Sequence, residues 1–207
     1  MTSKNQTRRH LLATGIGALG AAAAQPLLAA TATPPATEGP FYPTPSMRSA
    51  DVDNDLVKII GAVREAGGEV FTLKGCLTDK DGTPLAGYRI EIWQCDMNGK
   101  YLHSGDRQSI AFDAGFQGFG HDITGADGSY SFRTIKPVTY PGRTPHIHVK
   151  VFDDSRERLT TQFYIDGHPA NGRDRIFNRL SDAEAKAVSM VFTPSAEGEQ
   201  ATVDVIL

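Results

Sequence analysis

Two histidines, His146 and His148, are the residues of this chain best placed by spacing to do chemistry together. They flank Ile147 in an apolar run that is typical of a β-strand. Because side chains alternate between the faces of a strand, both imidazoles are predicted to lie on one face. Two imidazoles on one face can share a metal ion, although a His-x-His pattern alone is weak evidence. Tyr140 precedes the pair on a Pro-Gly turn, and Tyr101 follows an earlier strand-like run.

The donor types in this group favour ferric iron over zinc. Ferric iron is a hard acid that prefers anionic phenolate oxygens, and neutral imidazoles complete such a ligand set. Zinc sites usually combine histidine with cysteine or carboxylate, and ferrous oxygenase sites combine two histidines with one carboxylate. The sequence therefore predicts an Fe(III) site with one open coordination position, and its candidate ligands are Tyr101, Tyr140, His146 and His148. Ordinary polar roles are expected for the histidines without a partner at ligand spacing, which are His103, His121 and His168.

Length and charge limit the class of protein. A chain of 207 residues has room for one domain with a substantial core and a short appendage. The formal net charge is −3, and acidic and basic residues are interspersed along the chain. This pattern provides no basic surface for nucleic acid or for an anionic membrane. We therefore expect no nucleic-acid partner and no stable membrane association.

The appendage is predicted to be an export signal covering residues 1–32. Paired arginines at Arg8 and Arg9 precede a mildly apolar Ala/Gly/Leu-rich stretch, as in twin-arginine signal peptides. Gln25 and Pro26 interrupt that stretch, which makes it a poor membrane span. Residues 30–32 offer a small-x-small cleavage site. The twin-arginine machinery is thus an expected partner, and the periplasm or the exterior is the expected location of the mature domain, residues 33–207.

Short β-like runs separated by turns predict an all-β fold. Runs of alternating or apolar residues cover 70–77, 88–94, 129–135, 146–149, 159–164 and 201–207, and Asp-Gly pairs at 81–82 and 127–128 supply tight turns. A capping box at Ser181–Glu184 predicts one helix that continues to Met190. The expected architecture is an antiparallel β-sandwich with long active-site loops and one short C-terminal helix.

Three further segments have open interpretations. Residues 33–58 are predicted to form an extended arm, and the aromatic and proline-rich stretch 37–43 could either pack on the surface or line a site. Residues 104–124 show no periodicity and are predicted to be a long loop of the kind that often contributes to a binding site. Cys76 and Cys95 are expected to be buried thiols, and export leaves a disulfide between them as an alternative.

Several segments in the same order resemble the intradiol ring-cleavage dioxygenases, especially their protocatechuate-cleaving members. The matching segments are 37–42, 91–94 with 99–101, 132–137, 140–141, 143 with 145–148, and 161–164. The resemblance implies that the ferric ligands are Tyr101, Tyr140, His146 and His148. It also implies that Arg143 and Gln162 lie next to the substrate.

The resemblance further implies a catechol-type substrate and O2 as the second reactant. In this family the catechol is expected to displace Tyr140, which then takes up a substrate proton, while Arg143 stabilises negative charge on the substrate. Two features differ from the family pattern. The protocatechuate enzymes carry an aromatic-containing insertion after the position of Tyr140 that this chain lacks, and the helical dimerisation region of catechol 1,2-dioxygenases is missing, so a homo-oligomer stays an open alternative.

Two other function classes explain the sequence less completely. A secreted β-sandwich binding module without catalysis would share the Asp-Gly turns but would leave the four aligned donor side chains unexplained. A zinc hydrolase built on the His-x-His pair would need a carboxylate partner at a suitable spacing, and the sequence near the pair provides none.

Overall fold

A computed structural model describes residues 31–62 and 64–207, and it contains two five-stranded sheets. The strands are β1 (Val70–Thr78), β2 (Arg89–Trp93), β3 (Phe119–Ile123), β4 (Ser129–Ile135), β5 (His146–Asp153), β6 (Arg156–Ile165), β7 (Ser189–Met190), β8 (Phe192–Ser195), β9 (Gly198–Thr202) and β10 (Val205–Ile206). The helix α1 spans Asp182–Ala187, and short 3-10 turns cover Pro45–Met47, Asn171–Arg173 and Phe177–Arg179. The predicted all-β sandwich is confirmed. The predicted signal peptide falls almost entirely on residues 1–30, outside the described part.

The first sheet is centred on β1, which pairs with β4 on one side and with β9 and β10 on the other, and β8 extends the sheet beyond β9. The second sheet has the order β3-β2-β5-β6-β7. The long strands pair antiparallel, as the sequence predicts. The short strands β7, β9 and β10 add parallel pairings, which local sequence patterns do not specify.

Alternating side chains build the core between the two sheets. Leu73 of β1 and Phe132 of β4 face inward from the first sheet and are fully buried. Ile92, Ile147 and Phe163 face them from the second sheet, and they are also fully buried. His146 and His148, which alternate with Ile147 on β5, therefore lie on the opposite face of the second sheet. This outer face carries the candidate site.

The arm that precedes β1 is mostly extended and makes long-range contacts at both ends. At its start, the backbone N–H of Thr33 donates to the carbonyl of Ile206 at 3.0 Å, and the N–H of Ile206 donates to Thr33 Oγ1 at 2.9 Å. At its far end, Leu56 and Val57 are fully buried in the core. The arm is thus fixed to the domain along its length.

Three local predictions need correction. The loop expected over 104–124 contains β3, whose residue Gly120 lies so close to the arm that an added Cβ would be 2.4 Å from the carbonyl oxygen of Asp53. The strand expected over 201–207 is divided into β9 and β10. The capping box of α1 is confirmed, but the helix ends at Ala187 because Ser189–Met190 pairs with β6 as strand β7.

The cysteine alternatives are also resolved. Both thiols are free, so no disulfide joins Cys76 to Cys95. Cys95 is buried, whereas Cys76 lies partly exposed on β1. In the described part of the chain, no helix is long and apolar enough to cross a membrane.

Candidate metal centre

Strand β5 brings two imidazole nitrogens together on the outer face of the second sheet. The Nε2 atoms of His146 and His148 lie 3.1 Å apart, and each residue is 1% exposed. Their neighbours across the sheet are Tyr164 and Gln162 on β6 and Trp93 on β2. The spacing of the two histidines on one strand thus produces the shared face that the sequence predicts.

Two tyrosines reach this point from separate loops. Tyr140 lies on a turn closed by the backbone N–H of Arg143, which donates to the Tyr140 carbonyl at 3.0 Å, and its Oη is 3.5 Å from His146 Nε2. The ring of Tyr101 meets the ring of Tyr140 edge-on, with their centroids 5.5 Å apart. The loop that carries Tyr101 is held by Asp106, which accepts the Tyr101 backbone N–H at 2.9 Å. All four predicted ligands therefore converge.

The imidazoles are neutral, and His146 presents a free lone pair to the site. Burial, helped by the nearby Arg143 charge, lowers the pKa of His146 to about 3. Burial also lowers the pKa of His148, with His146 and Arg143 adding to the shift. His146 Nδ1 lies 2.7 Å from the Thr144 carbonyl, so this nitrogen carries the proton and Nε2 keeps its lone pair. Two neutral Nε2 atoms are suitable metal ligands.

The phenols complete a donor set that fits ferric iron. Tyr101 Oη is buried without a hydrogen-bond partner in the described part of the chain, which is costly unless another group binds it. Burial raises the pKa of Tyr101 well above its usual value, and it raises the pKa of Tyr140 although Arg143 opposes that shift. Phenols in such surroundings become phenolates when a strong Lewis acid replaces their protons. Residues 31–62 and 64–207 contain no group of three or more His, Cys, Asp or Glu side chains arranged to hold a metal.

Arg143 lies beside these donors, and Gln162 holds it there. Its Nη2 donates to Gln162 Oε1 at 2.6 Å, while Nη1 lies 3.4 Å from Tyr140 Oη and 3.3 Å from His146 Nε2. Gln162 is fully buried and also accepts a hydrogen bond from Tyr164 Oη at 2.9 Å. The structure thus places both predicted substrate-side residues at the site, with Gln162 behind the guanidinium.

The N-terminal arm forms one wall of the site, so the site-lining interpretation of residues 37–43 is the one the structure supports. Gly39 approaches the His148 ring so closely that an added Cβ would lie 3.2 Å from Cε1, and its φ of +73° also favours glycine. Phe41 stacks on Tyr101 with ring centroids 4.7 Å apart. Thr37 accepts a hydrogen bond from Gln162 Nε2 at 2.8 Å through its carbonyl.

Two further residues shape the site without being predicted as part of it. The indole of Trp93 stacks on the His148 imidazole, with centroids 4.7 Å apart and planes 10° from parallel. Asp174 is 1% exposed and accepts a hydrogen bond from Arg143 Nε at 2.8 Å. Asp174 stands between Arg173 and Arg175 in a run that resembles a solvent-exposed charged loop, so local sequence gives no signal of its burial.

The histidines expected to have ordinary roles do lie outside the donor group. His103 Nδ1 accepts the backbone N–H of Gly105 at 2.9 Å, and His168 Nδ1 accepts that of Ala170 at 3.2 Å. His121 lies on β3, where it pairs with Glu91 of β2. None of the three contacts His146 or His148 by hydrogen bond among the described residues.

Comparison with known proteins assigns the family. A family model described as "Dioxygenase" matches residues 37–205. The protocatechuate 3,4-dioxygenase beta chain of Burkholderia cepacia is 36% identical over 140 residues, which are 64% of this chain and 60% of that protein. The chain belongs to the intradiol dioxygenase family. Catechol 1,2-dioxygenase 1 of Acinetobacter lwoffii is 35% identical over 156 residues, which are 66% of this chain and 47% of that protein.

Solved structures agree with this assignment. The dioxygenase domain of a dioxygenase–carbohydrate-binding protein fusion from Streptomyces sp. SirexAA-E is 32% identical, with a TM-score of 0.62, and the match covers 86% of this chain and 98% of that domain. An intradiol ring-cleavage dioxygenase from Tetranychus urticae has the same fold, with 20% identity, a TM-score of 0.67 and coverage of 85% and 94%. This intradiol dioxygenase chain spans 60% or less of the length of the curated relatives it matches.

Proposed function

We propose that this protein is an Fe(III)-dependent dioxygenase that opens a catechol ring between its two hydroxylated carbons to give a muconate-type diacid. The observation that carries the proposal is the convergence of Tyr101, Tyr140 and the paired Nε2 atoms of His146 and His148 beside one arginine. Both atoms of O2 enter the two new carboxyl groups, so the catechol itself supplies the electrons and no external reductant is needed.

The donor set decides which metal would be held. Two neutral imidazoles and two phenols suit ferric iron, whereas a zinc site would call for cysteine or carboxylate donors. Ferric iron held by these four side chains would supply the Lewis acidity and redox capacity that bring a catecholate and O2 to reaction. A non-catalytic binding module has no use for two imidazoles and two phenols that converge at one point, so that alternative is not favoured.

The chain's own residues would prepare the substrate. Tyr140 is half-buried on the open side of the site, and in its deprotonated form its Oη can take up a proton from a substrate hydroxyl. Arg143 Nη1 points to the same region and can stabilise negative charge that develops on the substrate oxygens. The arm and Trp93 cover the inner side and exclude water, which strengthens these electrostatic interactions.

Replacing Tyr140 with phenylalanine is expected to slow turnover by about 10- to 100-fold, because the hydroxyl oxygen that takes up the proton is lost. Iron is expected to stay bound through the three remaining side chains, while the visible absorption band shifts. Tyr101→Phe is the comparison variant, and it should weaken the resting colour more because Tyr101 is the more deeply buried phenol. Steady-state kinetics, iron analysis and visible spectra check both variants. Unchanged turnover in Tyr140→Phe would contradict the proton-accepting role.

The substrate is expected to be a catechol with little selectivity among ring substituents. The wall after Tyr140 lacks the aromatic insertion that the sequence comparison with protocatechuate enzymes leads us to expect, so larger substituents should fit. The test uses a panel of catechol, protocatechuate, hydroxyquinol and larger catechols. For each compound, oxygen uptake is measured and the ring-opened diacid is identified. Iron-loaded and zinc-loaded protein should be compared. Colourless, inactive protein in both forms would overturn the oxygenase proposal, and ring opening beside the diol would overturn the intradiol assignment.

We also propose that the protein is exported by the twin-arginine route, with the sequence pattern of Arg8 and Arg9 as support. Changing both arginines to lysine is expected to keep the full-length protein in the cytoplasm. Cell fractionation followed by immunoblotting measures this, and a change of Lys4 to Arg is a control that leaves the arginine pair intact. Unaltered export of the double variant would rule out this route.

A further inference from the structure

Asp174 is a buried carboxylate with every oxygen engaged. Its Oδ2 accepts from Arg143 Nε at 2.8 Å and from the Thr144 backbone N–H at 2.9 Å. Its Oδ1 accepts the backbone N–H groups of Ile176 at 2.8 Å and Phe177 at 3.0 Å. Burial opposes ionisation, but the hydrogen bonds from Thr144 and Arg143 keep the pKa of Asp174 below its ordinary value. Asp174 is therefore a fixed negative charge at the back of Arg143.

The way in which Asp174 contacts the guanidinium determines which edge is left free. The carboxylate engages Arg143 through Nε alone, so neither Nη atom is consumed by the ion pair. Nη2 is then available to Gln162, and Nη1 is available to the region of Tyr140 Oη and His146 Nε2. A planar guanidinium held at Nε and Nη2 has no freedom to rotate, so the position of Nη1 is set.

We propose that Asp174 is the positioning residue of Arg143, which it holds at Nε so that Nη1 faces the reacting oxygens of the substrate. The inference rests on the oxygenase function proposed above. Asp174 does not touch the donors or the substrate itself. It also balances the Arg143 charge in a region where an uncompensated cation would be costly, and the guanidinium stays in place before an anionic substrate arrives. Small displacements of such a group reduce turnover strongly.

The first test uses Asp174→Asn, which preserves size but removes the charge and half of the acceptor capacity. We expect kcat to fall about 10- to 100-fold, with iron content unchanged and the KM for catechol changed by less than about threefold. The matched control is Asn171→Ala. Asn171 braces the same segment by accepting from Thr144 Oγ1 at 2.7 Å and donating to the Ile165 carbonyl at 2.9 Å, yet it does not contact Arg143.

A double-mutant cycle separates positioning from general support of the fold. In an Arg143→Lys background, Asp174→Asn should change kcat by less than about threefold, because there is no guanidinium left to position. Equal losses in both backgrounds would overturn the proposal. A loss of kcat in Asn171→Ala as large as that in Asp174→Asn would also overturn it, since both variants would then act by loosening the segment.

A measurement on metal-free protein does not depend on catalysis. In the nitrogen-15 NMR spectrum the Nε–H of Arg143, assigned by its loss in Arg143→Lys, should exchange with water at least tenfold more slowly than those of the exposed Arg173 and Arg179. Exchange as fast as these controls in the wild-type protein would overturn the proposal, whether or not Asp174→Asn folds. If slow exchange were seen in a protein without oxygenase activity, the contact would stand and the proposed function would fail.

Discussion

Replacing His148 with alanine is expected to remove iron, visible colour and dioxygenase activity together. His148 Nε2 is one of two neutral nitrogens that lie 3.1 Å apart at the centre of the site, and no other imidazole in the described part of the chain can take its place. His148 is 1% exposed, so its loss removes a donor from the buried side of the site, where water cannot take its place, whereas Tyr140 lies half-buried at the open side. Iron analysis, the visible spectrum and oxygen uptake would each measure the loss.

The matched control for this variant is His168→Ala. His168 is a partly exposed histidine in the turn after β6. Its replacement should leave the iron content and the activity unchanged. His148→Ala should also lower the thermal midpoint of the metal-free protein, because the indole of Trp93 loses the ring on which it stacks. Full iron content and unaltered colour in His148→Ala would show that the metal is held elsewhere, and the assignment of all four ligands would fall.

Replacing Arg143 with lysine is expected to lower kcat by about 10²- to 10³-fold while iron and colour are kept. The guanidinium serves three directions at once, through Nε to Asp174, through Nη2 to Gln162 and through Nη1 to the site. A lysine ammonium is a single point charge at the end of a flexible stem, so it cannot hold all three contacts. Steady-state kinetics with catechol measures the effect.

Arg173→Lys is the control for this second variant. Arg173 is exposed, follows β6 in the same segment, and forms no salt bridge among the described residues. Its replacement should change kcat by less than about twofold. If Arg143→Lys retained kcat within a fewfold of the wild type, turnover would not need a guanidinium held in a fixed orientation, and Asp174 would have no catalytic group to position.

Strands with strict alternation could be predicted from sequence, and the shared face of the two candidate histidines followed from them. The burial of every second residue in β1 and β4 matches the pattern of their apolar side chains. His146 and His148 could be placed on one face for the same reason. The preference of ferric iron for phenolate oxygens made Tyr101 and Tyr140 candidate partners, the family resemblance implied the same two residues, and the structure brings them to the same point.

Features that depend on distant parts of the chain could not be predicted. Strand β3 lacks the alternation of apolar and polar residues because a glycine is required at position 120, where the arm crosses at Asp53. These two residues are far apart in the sequence, so local patterns do not reveal their contact. The end of α1 is set by the pairing of Ser189 with Tyr164 and not by helix propensity. Asp174 is buried by its backbone and side-chain partners, although its neighbours in sequence are charged. In each case tertiary contacts override the local signal.

The pairing of Thr33 with Ile206 has a consequence for the connectivity of the domain. Because two backbone-donated hydrogen bonds hold Thr33 and Ile206 side by side, the part of the polypeptide between these two residues is almost a closed ring. A short linker could join these ends, and the exposed Asp81–Gly82 turn could serve as new termini of a circular permutant. In such a chain the arm over His148 would be covalently joined to the folded domain at both of its ends, which would lower the conformational entropy lost when the arm docks.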